Sequence, residues 1–185
     1  MARGTTDTRT RILTAANHLV ESEGVERLTL ETAAQAAGVS KGGLLYHFPN
    51  KDALIEGMVR QMLDEFTLAM EEVLAQEPEA PGRWARAYVQ ATLIDVAKAE
   101  SFRSKLLAAA ASSPTLLPIV KEHFAMWQRK LEQDGIDPTL ATLIRIAADG
   151  LWFVALFDLA PPDAARREAL GELMGKLTKV PSGGA

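Results

Sequence analysis

One short run of the chain, residues 40–51, collects side chains that proteins use to contact nucleic acid. It reads Ser-Lys-Gly-Gly-Leu-Leu-Tyr-His-Phe-Pro-Asn-Lys. Lys41 supplies a positive charge, while Tyr46 and His47 supply polar rings that can hydrogen-bond to phosphates or base edges. The two glycines after Lys41 leave bare backbone that can approach a base pair closely. The run therefore predicts a surface that contacts DNA.

Enzyme and metal chemistry find little support in the residue pattern. The sequence contains no HExxH, and its three scattered histidines lack metal-ligand spacing. His123 with Asp149 is an acid–base pair that an enzyme could use, but nothing in the sequence brings the two together. We therefore expect no cofactor and no metal, and a small helical enzyme is the least favoured interpretation of this sequence.

The absence of cysteine and the net charge limit the compartment and the partners that we expect for this chain. The chain has no cysteine, which excludes disulfides and fits a reducing cytoplasm. We see no signal peptide and no apolar run approaching the roughly 20 residues that span a bilayer, so we expect no membrane partner. The net charge is −4, and residues 1–60 balance seven basic against seven acidic side chains. Such a neutral segment can bind DNA only if its positive charges cluster on one face.

Apolar periodicity and capping residues predict helices along the whole chain, which gives an all-α fold of about nine helices. A hydrophobic content of 48% is sufficient for a sizeable core. We expect residues 180–185 to be a disordered tail. The predicted helices cover approximately residues 8–23, 30–37, 41–48, 51–74, 83–98, 102–111, 115–133, 138–159 and 163–178.

Two of these helices have the spacing of a helix-turn-helix motif. Thr29 and Ser40 are the predicted N-caps of the second and third helices. Leu44 and Phe48, four residues apart, would face the core and leave the other side of the third helix free. Thr29 and Lys51 would lie at helix N-termini, where free N–H groups and the helix dipole favour phosphate.

The motif also carries a set of residue types at fixed offsets: LETAAQAAGVSKG over residues 30–42, then Leu44, Tyr46-His47-Phe48 and Lys51-Asp52-Ala53-Leu54. Together they resemble the N-terminal domain of TetR-family regulators over about residues 8–58. The resemblance implies a three-helix helix-turn-helix DNA-binding domain over residues 1–52. It implies a helical ligand-binding and dimerisation domain over residues 53–185.

The resemblance assigns roles to individual residues. It implies that the start of the third helix approaches base edges and that the flanking polar residues hold phosphates. Leu45 departs from the family, which commonly has an aromatic residue there, and Gly43 is often Ser, Thr or Ala in relatives. The predicted DNA-binding residues are Thr29, Ser40, Lys41, Gly42, Gly43, Leu45, Tyr46, His47 and Lys51.

Aromatic residues are concentrated in the second domain, with a carboxylate among them. Such a carboxylate is the kind of polar anchor that small-molecule pockets use, and a cationic ligand would offset the cost of burying its charge. Two alternatives stay open, because Asp149 can pair with Arg145 on the same helix and the aromatics can be plain core. The predicted ligand-binding residues are Phe66, Trp84, Tyr88, Phe124, Trp127, Asp149, Trp152 and Phe153.

The resemblance implies a homodimeric, ligand-responsive transcriptional regulator, in most relatives a repressor. It would bind a palindromic double-stranded operator and be released by a small, largely hydrophobic effector. Two recognition helices would lie roughly 34–36 Å apart, with the last two helices of each chain forming the dimer interface. The alternative is a helical interaction or scaffold protein without sequence-specific DNA binding. The balanced charge of residues 1–60 and the presence of Leu45 would support it.

Overall fold

The computed structural model describes residues 3–98, 106, 107, 110 and 113–179, and within them the chain forms eight α-helices and no strand. The all-α class predicted from the sequence is confirmed. The helices are α1 (Arg3–Glu23), α2 (Leu30–Ala37), α3 (Lys41–His47), α4 (Lys51–Leu74), α5 (Arg83–Lys98), α6 (Leu117–Glu132), α7 (Pro138–Leu156) and α8 (Ala164–Leu177).

The predicted helix bounds hold to within a few residues, with three exceptions. Helix α1 begins at Arg3, five residues before the predicted start at residue 8. The predicted helix over 102–111 falls mostly outside the described residues, although 106, 107 and 110 are helical. Helix α7 ends at Leu156 instead of 159, because Asp158 and Ala160 adopt positive φ angles of 51° and 49°. The expected disordered tail, 180–185, lies outside the described residues.

The described residues divide into two compact units. The first contains the chain through Met62 together with the residues described between 101 and 116, and the second contains the remainder. Helix α4 therefore contributes its first half to one unit and its second half to the other.

The core of the first unit positions the helix-turn-helix motif. Leu44 and Phe48 are buried, as the sequence predicts. Alanines 33, 34 and 37 of α2 are buried too, and their small side chains let α1 and α2 pack closely. Gly57 of α4 lies against Phe48, since a Cβ there would come within 2.7 Å of the Phe48 ring. The other large buried residues of this unit include Ile12, Leu13, Leu28, Leu54, Met58 and Val59.

Helix α5 is the central element of the second unit, where it packs against both α7 and α8. Its start is fixed by Asp134, whose carboxylate accepts hydrogen bonds from the backbone N–H groups of Trp84 at 2.9 Å and Ala85 at 2.8 Å. Burial raises the pKa of Asp134, and these two hydrogen bonds act in the opposite direction. The packing with α8 is tight, because a Cβ on Gly171 would come within 2.4 Å of Leu93.

Helix α7 is unusual for its apolar surface. By length and composition it is long and apolar enough to cross a membrane, and only 17% of its most apolar 18-residue window is buried within the chain. The expectation that no stretch approaches this length and composition was therefore wrong. The core helix of a soluble protein can have the same length and composition. On α7, however, large side chains such as Leu143 and Ile146 are exposed.

Candidate DNA-binding and effector sites

The starts of α2 and α3 are fixed by side-chain caps. Thr29 and Thr32 form a reciprocal capping box, in which each hydroxyl accepts from the backbone N–H of the other at 3.0 and 2.9 Å. The hydroxyl of Ser40 accepts from the backbone N–H of Gly43 at 3.0 Å. Both predicted N-caps are confirmed, and each satisfies an N–H that the helix itself leaves unpaired.

Two features fix the turn between α2 and α3. Gly38 has a φ of 63°, which is the left-handed conformation expected where α2 ends. The guanidinium of Arg11 on α1 donates to the carbonyl of Ala37 at 2.9 Å. The angle between α2 and α3 is therefore set by backbone geometry and by a contact from the neighbouring helix.

The outer face of α3 is open to solvent. Tyr46 is 78% exposed, and Leu45 and Lys41 are also exposed. A Cβ added to Gly42 would meet no atom within 4 Å, whereas one added to Gly43 would come within 3.2 Å of the Ser40 hydroxyl. Of the two glycines, Gly42 thus provides the freely approachable backbone.

Tyr46 and His47 form a pair beside this face. Their ring centroids are 5.1 Å apart in an edge-to-face arrangement. His47 and Lys51 are each partly buried, and Lys51 is the first residue of α4. The structure thus brings the predicted DNA-binding residues to the starts of α2 and α4 and to the exposed side of α3.

One partner was missed by sequence reasoning. The ammonium of Lys41 lies 2.6 Å from the carboxylate of Glu31, in the first turn of α2, and the two side chains are 58% and 73% exposed. The hydrogen bond from Lys41 lowers the pKa of Glu31, and the charge of Lys41 adds to the effect. A signal was present, because the helix-turn-helix spacing places the two residues, ten apart, near the starts of adjacent helices.

In the second unit, four of the predicted effector residues form an aromatic cluster. The ring of Trp127 lies 5.0 Å from those of Phe66 and Phe124 and 6.1 Å from that of Tyr88. Trp127 is also oriented by its indole N–H, which donates to the hydroxyl of Thr67 at 3.1 Å. We call Phe66, Tyr88, Phe124 and Trp127 the aromatic cluster, to which α4, α5 and α6 contribute.

Asp149 adjoins the aromatic cluster but is already paired. Its carboxylate accepts from the phenol of Tyr88 and from the guanidinium of Arg145, each at 2.6 Å. Burial raises the pKa of Asp149, while the hydrogen bond from Tyr88 and the charge of Arg145 oppose that rise. Burial, followed by the charge of Asp149, raises the pKa of Tyr88. Of the two alternatives for Asp149, the pairing with Arg145 is the one present, so its charge is compensated within the protein.

The other three predicted effector residues lie in different surroundings. Trp84 contacts Lys130, whose ammonium is 4.1 Å from the indole centroid. Trp152 donates to the carboxylate of Asp95 at 3.1 Å, and the exposed Phe153 packs on Phe157 with centroids 4.9 Å apart. None of the ring contacts found in the described part of the chain connects these three residues to the aromatic cluster.

The acid–base pair of the enzyme hypothesis is not assembled. His123 binds the carboxylate of Asp64 at 3.3 Å and the carbonyl of Ile119 at 2.9 Å, whereas Asp149 is engaged with Tyr88 and Arg145. Among the residues the structure describes, no group of three or more His, Asp or Glu side chains could hold a metal ion.

Comparison with known proteins gives matches over both parts of the chain. Residues 12–58 match the model of the bacterial regulatory proteins of the tetR family, and residues 82–179 match the model of the tetracyclin repressor-like C-terminal domain. The HTH-type transcriptional regulator BetI of Burkholderia thailandensis is 26% identical over 167 residues, covering 89% of this chain and 75% of BetI.

Two further proteins show how far the similarity extends. The nucleoid occlusion factor SlmA of Vibrio vulnificus is 30% identical over 130 residues, which are 70% of this chain and 59% of SlmA. The solved structure of the multidrug binding protein EbrR with ethidium superposes with a TM-score of 0.69 at 26% identity, covering 94% of this chain and 99% of EbrR. The similarity to EbrR therefore includes both the helix-turn-helix motif and the helices that follow it.

Proposed function

The chain belongs to the TetR family of bacterial regulatory proteins, and from this premise we propose that it is a homodimeric cytoplasmic repressor released by a small, largely hydrophobic effector. That it is a DNA-binding transcriptional regulator and not an enzyme follows from the family. The observation that carries the proposal is the open outer face of α3, together with the side-chain caps that fix the starts of α2 and α3.

The DNA interface of the proposal is the set of nine residues predicted from the sequence. Lys41 and the bare backbone at Gly42 would approach base edges in the major groove, where a lysine pairs well with guanine O6 and N7. Tyr46 and Lys51 would bind phosphates, which fixes the position of α3 in the groove without reading sequence. The exposure of Tyr46 and the open space at Gly42 support this division of roles.

The homodimer of the proposal is formed by α7 and α8. Both helices present large apolar side chains to solvent, among them Leu143, Ile146, Phe153 and Leu173. Burying a fully exposed side chain of this size contributes roughly 1.5–3 kcal/mol, so covering these half-exposed ones contributes about half of that each. A twofold partner would cover them, and it would carry the second recognition helix that a palindromic operator requires.

The effector site of the proposal is the aromatic cluster. EbrR has been solved with ethidium and with malachite green, which supports a small-molecule site in a protein of this fold. Because Arg145 already offsets the charge of Asp149 in this chain, a cation gains less here than it would beside a free carboxylate. A largely hydrophobic, uncharged effector is the class that this balance favours.

The test is a DNA-binding titration. Purified protein would be footprinted on fragments from its own upstream region at modest salt, beside Tyr46→Ala and Lys51→Ala. We expect a palindromic protected site that weakens at least tenfold in both variants. Equal, weak binding to all fragments, unchanged in the variants, would instead support the scaffold alternative and reject the proposed function.

A further inference from the structure

The pair of Glu31 and Lys41 places a carboxylate beside the charged side chain proposed for base readout. The distance of 2.6 Å is that of a charge-assisted hydrogen bond, and both side chains are more than half exposed. An exposed ion pair of this kind adds little to folding stability, so the fold does not require it. A negative charge near phosphates also opposes DNA binding, and its presence there calls for an explanation.

We propose that Glu31 is a specificity-determining residue that positions Lys41 for base readout and suppresses sequence-independent binding. The inference rests on the proposed function, since it requires that α3 contact DNA. Glu31 acts through Lys41, by restraining an ammonium group that would otherwise bind any phosphate within its reach.

The physical basis is the difference between phosphate and base contacts. A free lysine neutralises a phosphate and releases a counterion whatever the sequence, which raises non-specific affinity and steepens its salt dependence. A lysine held by a carboxylate has a restricted reach and a partly compensated charge. The pair also presents a donor next to an acceptor, and a carboxylate can accept only from an exposed amino group, as on cytosine N4 or adenine N6.

The preference for the operator over other DNA sequences then has an attractive and a repulsive part. A base step that offers an acceptor to Lys41 and a donor to Glu31 satisfies both groups. Any other step leaves the carboxylate unpaired in a strongly negative groove, which penalises the wrong sequence more than the right one. Glu31 therefore lowers affinity for all DNA but lowers it least for the operator.

A plainer role for Glu31 is to stabilise α2, because an acidic residue in the first turn of a helix interacts favourably with the helix dipole. That role predicts a change in thermal stability with no change in the preference between DNA sequences. The substitution Glu31→Gln separates the two roles, since glutamine keeps the size and an acceptor oxygen but removes the charge.

The experiment compares wild type, Glu31→Gln, Lys41→Gln and the double variant on two duplexes. One duplex is selected by the wild-type protein from a random-sequence library, and the other is an unselected duplex of equal length. Glu23→Gln is the matched control, because Glu23 is also an exposed acid of the first unit paired with a cation, Arg27. Binding is measured over a salt series, and melting curves are recorded for each protein.

We expect Glu31→Gln to tighten binding to the unselected duplex about tenfold and to steepen its salt slope by about one ion. Affinity for the selected duplex should change less than threefold, so that the specificity ratio falls. The gain should be smaller in the Lys41→Gln background, where only the repulsion between the Glu31 carboxylate and the DNA remains, and Glu23→Gln should leave the ratio unchanged. An equal gain on both duplexes, a gain of undiminished size without Lys41, or the same loss of ratio in Glu23→Gln would overturn the inference alone. If the wild type selects no sequence, the proposed function fails and the inference fails with it.

Discussion

At the scale of single residues, two glycines of the first unit are kept for different reasons. Gly42 faces open space, whereas Gly57 lies where a Cβ would collide with Phe48 at 2.7 Å and Leu13 at 3.0 Å. Glycine inside a helix costs roughly 0.5–1 kcal/mol relative to alanine. The fold therefore needs glycine at position 57, whereas at position 42 only a functional requirement would keep it.

Substituting both glycines tests this difference. Gly42→Ala should raise the free energy of unfolding, by at most about 0.5–1 kcal/mol because residue 42 lies in the first turn of α3, and Gly57→Ala should lower it by about 1–3 kcal/mol through overpacking. Urea denaturation followed by circular dichroism measures both. If close backbone approach matters, Gly42→Ala should also weaken operator binding severalfold despite its greater stability. Unchanged operator affinity in Gly42→Ala would show that Gly42 does not approach the DNA closely.

Arg145 provides a second test at the residue scale. Replacing it by glutamine leaves the carboxylate of Asp149 without its cationic partner beside the aromatic cluster. We expect ethidium, used as a fluorescent aromatic cation, to bind Arg145→Gln at least fivefold more tightly than wild type, and Arg145→Gln/Asp149→Asn to reverse the gain. Lys121→Gln on α6 serves as the control for a general loss of positive charge. A gain of equal size in that control would show that ethidium responds to net charge and not to Asp149.

At the scale of elements, the start of α5 depends on a carboxylate from a distant turn. Asp134 is 7% exposed and accepts from two backbone N–H groups at the first turn of α5. Asparagine offers a single acceptor oxygen, so Asp134→Asn leaves one buried N–H unpaired. The loss should be about 1–3 kcal/mol of unfolding free energy at neutral pH.

The pH dependence of that loss has a definite sign. The folded-state pKa of Asp134 lies above its ordinary value because burial disfavours the charge. The folded chain therefore holds this proton more tightly than the unfolded chain, and the protonated carboxyl adds stability that is lost as pH rises through the folded pKa. The stability advantage of wild type over Asp134→Asn should accordingly be larger near pH 4 than at pH 7, measured at fixed protein concentration. An advantage that shrinks toward low pH would mean that the folded-state pKa is lowered.

Features decided by residues close together in the chain could be predicted from the sequence, whereas long-range contacts between helices could not. Thr29, Ser40 and Gly38 were predicted correctly because caps and turns are decided within four residues along the chain. The pairing of Asp149 with Arg145 could be weighed for the same reason, as the two are four apart on α7. Tyr88 lies 61 residues from Asp149, and no local pattern reveals that contact. Residue type alone predicts that Trp84, Trp152 and Phe153 bind the effector together with the aromatic cluster. In the folded chain each of the three contacts a different partner outside that cluster.

At the scale of the whole molecule, the exposed apolar surface of α7 ties oligomeric state to DNA binding. Ile146 and Leu143 are both more than half exposed, and neither lies in the aromatic cluster or the helix-turn-helix motif. Ile146→Asp places a charge in the proposed dimer contact, where it would be buried without a partner. We expect this variant to sediment as a monomer at concentrations where the wild type is a dimer, with its helical content retained.

Loss of the dimer should then reduce operator affinity without touching any residue proposed to contact DNA. A dimer places both recognition helices on one palindrome, so the second half-site is bound at high effective concentration, worth about 10²–10⁴ in affinity. Ile146→Asp should therefore lose at least 100-fold on the palindrome, yet match the wild type on unselected DNA to within a few-fold per subunit. The matched control is Leu68→Asp, which puts the same charge on an exposed apolar position of α4. If Ile146→Asp stays dimeric, α7 does not form the dimer contact. If it is monomeric with full operator affinity, the dimer is not required for operator binding.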